Sequence, residues 1–170
     1  MNKTMLLVLP LLICCSSKGL KSTNTTKNDK PFKVSFHELR YGICKTDSLY
    51  KQDLKTSPSG NQIISEAFKL IKKTDRIPGE VGQQFGVEYI LESDFIGYLP
   101  VQQVWIFPEV ITDGKGKAFK EARYTTEKPI NSKTYSTYTL EKDFEVVKGE
   151  WIYQMWYDQE KLYERKFYIE

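Results

Sequence analysis

The chain has 170 residues, a formal charge of +3, 40 % apolar and 14 % aromatic residues, enough for one domain with a real core. Five lysines and one aspartate precede Pro31, so the remainder holds 20 basic and 21 acidic residues, a net of −1. A nearly neutral body lacks the basic face that neutralises phosphates, which excludes a nucleic-acid module.

Residues 1–14 read as an export signal: Lys3 supplies a basic start, Met5 to Ile13 an apolar run of nine residues, and Cys14-Cys15-Ser16-Ser17 a processing site. Nine residues are too few for a transmembrane helix, which needs roughly 20, and Pro10 interrupts them. Leu12-Ile13-Cys14-Cys15 resembles the lipoprotein pattern Leu-x-small-Cys, with Cys15 as the acylated residue and Cys14 in the small position; choosing Cys14 would put bulky Ile13 there. Each buried methylene contributes about 0.8 kcal/mol, so two or three acyl chains hold a protein at a membrane without spanning it. Ser16-Ser17 lacks the Asp that retains some lipoproteins at the inner membrane. The expected location is therefore the outer membrane of a Gram-negative envelope.

Residues 15–31 are the acylated cysteine and a tether. Ser16 to Lys30 carries one large apolar residue, Leu20, among Ser, Thr, Asn and Lys, too little to order itself. Its root-mean-square reach as a coil is roughly 20 Å.

From Phe32 to Glu170 the pattern is mainly of period two. Val34 and Phe36 alternate, then Leu39, Tyr41 and Ile43 in the opposite parity, which predicts a bulge near His37-Glu38. Lys45 to Asn61 reads as a polar loop ending in the turn Ser57-Pro58-Ser59-Gly60. Ile63 to Arg76 fits strand or helix until Pro78-Gly79. Phe85, Val87, Tyr89 and Leu91 share a strand face, Val101 to Phe107 forms a strand bounded by Pro100 and Pro108, and Glu109 to Lys117 is a long loop. Strands follow at Phe119 to Thr125 and Tyr135 to Leu140. The clearest element is the last hairpin, with Trp151, Tyr153, Met155 and Tyr157 on one face, a turn over Asp158 to Lys161, and a return over Leu162 to Ile169. Seven or eight strands predict an antiparallel β-sandwich, with a small barrel as the alternative.

Thr74-Asp75-Arg76-Ile77-Pro78, Gly82, Phe85-Gly86 and Tyr89, with Val147, Gly149-Glu150-Trp151, Trp156-Tyr157, Leu162 and Phe167, resemble a bacterial domain-of-unknown-function family numbered 3859. Lys148 stands where that family typically has proline. The resemblance implies an exported immunoglobulin-like sandwich and supplies no catalytic residue or cofactor.

Candidate chemistry is sparse. His37 is the single histidine, and Cys44, the one cysteine of the body, lies seven positions away in opposite strand parity. Too few soft ligands remain for zinc, no calcium-loop spacing occurs, and Lys115, Lys117 and Lys120 lack P-loop spacing, reading instead as a solvated loop. Glu92 and Asp94 share one strand face and Glu141, Asp143 and Glu145 another, pairs that a glycoside hydrolase would need across a cleft. The aromatic residues offer more. Trp156, Tyr168 and Leu162 point away from the Trp151 face and form a candidate partner-binding patch, while Arg165 falls in the inward parity and needs a bulge or a carboxylate. Asp47-Ser48-Leu49 resembles an O-glycosylation acceptor at Ser48.

The expected function is a non-enzymatic envelope lipoprotein that needs no cofactor or metal and contacts an envelope protein or a glycan. One alternative is an immunoglobulin-like protease inhibitor acting through the Trp151 to Ile169 hairpin. The other is a hydrolase of envelope polymers using Glu92, Asp94, Asp143 and Glu145.

Overall fold

A computed structural model describes residues 32–170. The export signal, Cys15 and the tether lie outside the described residues.

Nine strands build two sheets: β1 (Ser35–Asp53), β2 (Asn61–Lys72), β3 (Arg76–Ile77), β4 (Gln84–Glu92), β5 (Tyr98–Thr112), β6 (Ala118–Pro129), β7 (Lys133–Thr139), β8 (Gly149–Tyr157) and β9 (Glu160–Ile169). The four-stranded sheet runs β2-β1-β4-β7 and the five-stranded sheet β3-β9-β8-β5-β6. All pairings are antiparallel except the two-residue β3 on β9. This is a β-sandwich, not a closed barrel. Among the described residues the one helical element is a single 3-10 turn at Asp143–Glu145, and no helix is long and apolar enough to cross a membrane.

The period-two pattern produces the core directly, because alternate side chains of each strand face the opposite sheet. Phe85, Val87, Tyr89 and Leu91 of β4 meet Val101, Trp105 and Phe107 of β5, Trp151, Tyr153 and Met155 of β8, and Phe167 and Ile169 of β9. Ring packing is mostly edge-to-face, with Phe85 and Trp105 centroids 5.6 Å apart, Tyr138 and Trp151 at 5.0 Å, and Phe107 and Trp151 at 4.7 Å. Each such pair contributes about 0.5–1.5 kcal/mol beyond its buried area.

The predicted bulge in β1 is present: the ladder to β4 slips between Glu38 and Arg40. Three expectations are corrected. Lys45 to Asp53 is not loop but the second half of β1, paired along its length with β2, which also makes Asn61–Lys72 a strand rather than a helix. β5 passes both prolines that were expected to bound it. Pro100 pairs with Glu127 of β6 but lies outside the ladder to β8, which begins at Gln102, and Pro108 falls where the ladder to β6 slips between Ile106 and Ile111, so each proline has at most one strand beside it. Consequently the loop after β5 shrinks to residues 113–117, where Asp113 Oδ1 accepts from the backbone N–H groups of Lys115 and Lys117 at 2.9 and 2.8 Å.

The motif residues are explained by packing. Gly86 allows β7 to approach, since a Cβ there would lie 2.2 Å from the Ser136 carbonyl oxygen; Gly149, at φ +126°, sits against Pro108. Trp151 donates its indole N–H to the Val147 carbonyl at 2.8 Å.

Candidate functional site

β6 and β7 are the edge strands of different sheets, so they are not paired, and the gap between them opens a cleft of about 300 Å³. That is at the lower end of small-molecule sites. Gln103 and Trp105 of β5, Tyr124 and Lys128 of β6, and Ser136 and Tyr138 of β7 line it, with Leu54, Ser57 and Ser59 of the β1–β2 turn completing the wall. Ser57 is buried there. The turn is held by a Lys51–Glu141 ion pair at 2.7 Å and by Lys117 Nζ donating to the Lys55 carbonyl at 2.7 Å.

The polar groups behind the cleft satisfy one another in pairs. Tyr153 donates to Gln103 Oε1 at 3.1 Å, Tyr89 Oη and Ser136 Oγ lie 3.0 Å apart, and Tyr138 donates to Glu145 Oε1 at 2.7 Å. Two buried atoms among the lining residues have no partner within hydrogen-bond distance: Asn61 Oδ1, an acceptor, and the indole Nε1 of the fully buried Trp105, a donor whose neighbour is the Tyr124 hydroxyl. Buried polar atoms in native folds are nearly all paired, so unpaired ones lining a cleft mark where a ligand or water bonds. Lys128 Nζ donates to the Tyr135 carbonyl at 2.6 Å, and no carboxylate pairs with it among the described residues. Burial pulls its pKa down to about 8 and pushes that of Tyr124 up to about 12. Burial likewise raises Tyr89, Tyr153 and Tyr138, the last also through the neighbouring Glu145. The cleft therefore presents hydroxyls, the amides of Asn61, Gln62 and Gln103, the Lys128 ammonium, and two carboxylates, Glu127 and the Lys51-paired Glu141. It offers both donors and acceptors beside aromatic faces, and neither His37 nor Cys44 lines it.

The sequence-derived candidates are dispersed. Trp156 lies opposite Lys161 in the β8–β9 ladder, with the ammonium 6.0 Å from its ring, its N–H donated to Gln154 Oε1 at 3.0 Å, and a shallow groove beside it shared with Gln102 and Arg123. Tyr168 sits toward the other end of the hairpin, opposite Glu150, whose carboxylate lies 3.0 Å from its hydroxyl. Leu162 is the extra residue where the ladder slips between Met155 and Trp156, and it packs against the core. A bulge thus turns Leu162 inward, and the three residues do not form one patch.

His37 is exposed on β1 while Cys44 is buried, with its thiol pushed up to about 12 by burial; the strand carries them apart. Glu92 and Asp94 are exposed at the end of β4 and in the loop after it. Glu141, Asp143 and Glu145 do not share a face, because β7 ends at Thr139 and the chain enters the 3-10 turn. Glu145 is fully buried, accepting from the backbone N–H groups of Glu141 and Lys142 at 3.0 Å each and from Tyr138. Ser48 is exposed, but on β1 opposite Ser65 rather than in a loop. Arg165 is resolved by a carboxylate and not by a bulge: it keeps the inward parity of Tyr163, Phe167 and Ile169, opposite Tyr153, where it pairs with Glu38 and its guanidinium carbon lies 3.7 Å from the centroid of the Tyr41 ring. Among the described residues no group of three His, Cys, Asp or Glu side chains is placed to hold a metal.

The cleft residues themselves were missed at the level of sequence. Gln103 carries the one readable signal, a polar residue in the inward parity of Val101, Trp105 and Phe107.

A family model described as a domain of unknown function, DUF3859, matches residues 33–169. An immunoglobulin-like protein of Pseudomonas aeruginosa, known from a crystal structure, superposes with a TM-score of 0.61 at 20 % identity, over 81 % of this chain and 97 % of that chain. At that identity the likeness concerns the fold, an immunoglobulin-like sandwich. No curated protein matches the sequence.

Proposed function

The chain belongs to the DUF3859 family, and from that premise we propose that it is a lipid-anchored envelope module that binds a glycan, without catalysis, in the cleft between β6 and β7. The cleft carries the reading. Sugars present hydroxyls that both donate and accept, matching the Trp105 N–H and the side-chain Oδ1 of Asn61, and the Tyr124 and Tyr135 rings in its wall supply apolar faces for a pyranose. The anchor at Cys15 places such a module beside envelope polymers.

Two measurements test the two halves. Labelled palmitate enters the wild-type protein and not Cys15→Ser; incorporation into both removes the assignment of Cys15. Titration with soluble muropeptides and lipopolysaccharide oligosaccharides, followed by backbone amide shifts, moves residues of β6 and β7. Trp105→Phe, which deletes one unpaired donor, weakens that binding about five- to tenfold, the worth of about 1 kcal/mol for a hydrogen bond. Absence of binding by every fragment, or binding indifferent to Trp105→Phe, overturns the cleft reading.

A further inference from the structure

The end of the sandwich where the described chain begins carries a cluster of exposed apolar side chains. Ile96 is 88 % exposed, Tyr98 67 % and Phe32 43 %, and the Phe32 ring lies 4.8 Å from that of Phe95. Isolated exposed apolar residues are ordinary, but a contiguous group on a rigid support is not.

The support here is specific. Asn131 Nδ2 donates to the Ser93 carbonyl at 2.9 Å and to the Phe95 carbonyl at 3.4 Å, and its Oδ1 accepts from the Ser93 N–H at 3.2 Å. Ser93 Oγ accepts from the Phe95 N–H at 3.3 Å, and Gly97 O accepts from the Ile130 N–H at 2.9 Å. Five hydrogen bonds thus hold residues 93–97 in one shape, with Ile96 at its outermost point. Phe32, the residue at which the described chain begins, joins this group. The charged neighbours are Lys33 and Lys133 against Glu92 and Asp94, all exposed, which leaves the surface close to neutral.

We infer that Phe32, Ile96 and Tyr98 form a membrane-contacting end, seated in the boundary between headgroups and acyl chains. Aromatic and aliphatic side chains are favoured at that depth. The orientation of the sandwich relative to the lipid anchor rests on the acylation of Cys15 proposed above; the apolar surface does not. With the tether end toward the bilayer, the β5–β6 turn at the far end of β5 points away from it.

The test uses the full-length acylated protein in phosphatidylethanolamine–phosphatidylglycerol vesicles containing lipids brominated near the headgroup. A polarity-sensitive fluorophore on Ile96→Cys shifts to the blue and is quenched, while the same fluorophore on Lys115→Cys is not. The full-length Cys15→Ser protein still floats with vesicles, at least tenfold more weakly when Ile96→Asp is added. Its affinity changes less than about twofold between 0.1 and 0.5 M salt, because the contact is apolar rather than ionic. Ile96→Asp, at an exposed loop position, leaves the unfolding midpoint unchanged, which separates lost contact from lost fold. Acylation with an unquenched label at position 96 overturns this inference and leaves the anchor standing. Quenching without acylation keeps the inference and removes the anchor. Binding that disappears with salt overturns the apolar basis of the contact.

Discussion

Replacing Lys128 by methionine changes how stability depends on pH, and the direction follows from where the ammonium sits. Its single hydrogen bond is to the Tyr135 carbonyl, its nearest ring is Tyr135 at 5.9 Å, and no carboxylate neutralises it among the described residues. Burial lowers its pKa from 10.5 to about 8. A difference of that size costs the native state about 3 kcal/mol at pH 7 if it is fully realised. Lys128 retains some solvent exposure, so water relaxes part of the penalty and about 1–2 kcal/mol is the working value. The unfolded chain keeps the Lys128 proton up to about pH 10 and the native protein releases it near pH 8. Between these values the unfolded state binds more protons, and stability rises with pH. Above pH 10 the sign reverses, because Tyr89, Tyr124 and Tyr153 are held above their ordinary value by burial and ionise first in the unfolded chain. Urea denaturation at pH 7.5 and 9.5 therefore gives the wild type a gain of up to about 1 kcal/mol at the higher pH, the part of the penalty recovered by then, that Lys128→Met lacks. The comparison of slopes is decisive, since the substitution also removes one hydrogen bond at every pH. Equal pH dependence in the two proteins refutes the assignment of a desolvated ammonium to this cleft.

Two further outcomes concern the frame around it. Arg165 and Glu38, each about a quarter exposed, lie between the surface pairs that contribute under 1 kcal/mol and the buried ones whose breaking costs 3–5; in a double-mutant cycle Arg165→Met and Glu38→Gln couple by about 1–2 kcal/mol, and additivity within about 0.4 kcal/mol contradicts the pairing. Gly86→Ala places a methyl group 2.2 Å from the Ser136 oxygen and 2.8 Å from the Thr137 Cα, forcing β7 off β4 and lowering stability by at least about 2 kcal/mol, whereas Gly114→Ala, with nothing within 4 Å, is silent; similar unfolding midpoints for the two variants would sink the close-approach argument.

The fold was readable wherever strand parity met one-sided burial. Phe85 to Leu91 and Trp151 to Met155 point inward as their alternation requires, because a one-residue slip would have turned each set to solvent. The reading failed where burial was weak or pairing was long-range. Lys45 to Asp53 is polar and almost wholly exposed, yet it is strand, since β2 supplies its hydrogen bonds and its sequence carries no apolar period to announce it. Leu162 shows a second cause: a bulge reverses parity from one residue onward, and nothing local to Lys161 or Leu162 marks it. The cleft was hidden for a third reason. Its residues come from β5, β6, β7 and the β1–β2 turn, and only the topology that leaves β6 and β7 on facing edges brings them together. Arg165 lay between these extremes, anomalous enough in sequence to require a partner, though not to identify Glu38.

The two long seams of the sandwich are closed by different chemistry, and this difference is what makes one of them the candidate site. At the β1–β9 seam Glu38 accepts from Tyr163 and Arg165, and the guanidinium covers Tyr41. Opposite charges and stacked rings fill that gap, leaving nothing for a ligand to bond. At the β6–β7 seam the corresponding space holds hydroxyls, amides, the carboxylates Glu127 and Glu141, and an ammonium, Lys128, that pairs with neither of them. Lys128 does not close the seam as an ion pair does, because neither carboxylate of the lining bonds to it and its desolvation is left uncompensated. A hydroxylated ligand bearing one anionic group would supply both the compensating charge and the acceptor for Trp105 Nε1. It follows that Lys128→Met weakens an acidic glycan fragment more than its neutral counterpart, while Trp105→Phe weakens both alike. Equal losses for acidic and neutral fragments in Lys128→Met would assign the lysine to holding β7 through the Tyr135 carbonyl and to nothing else.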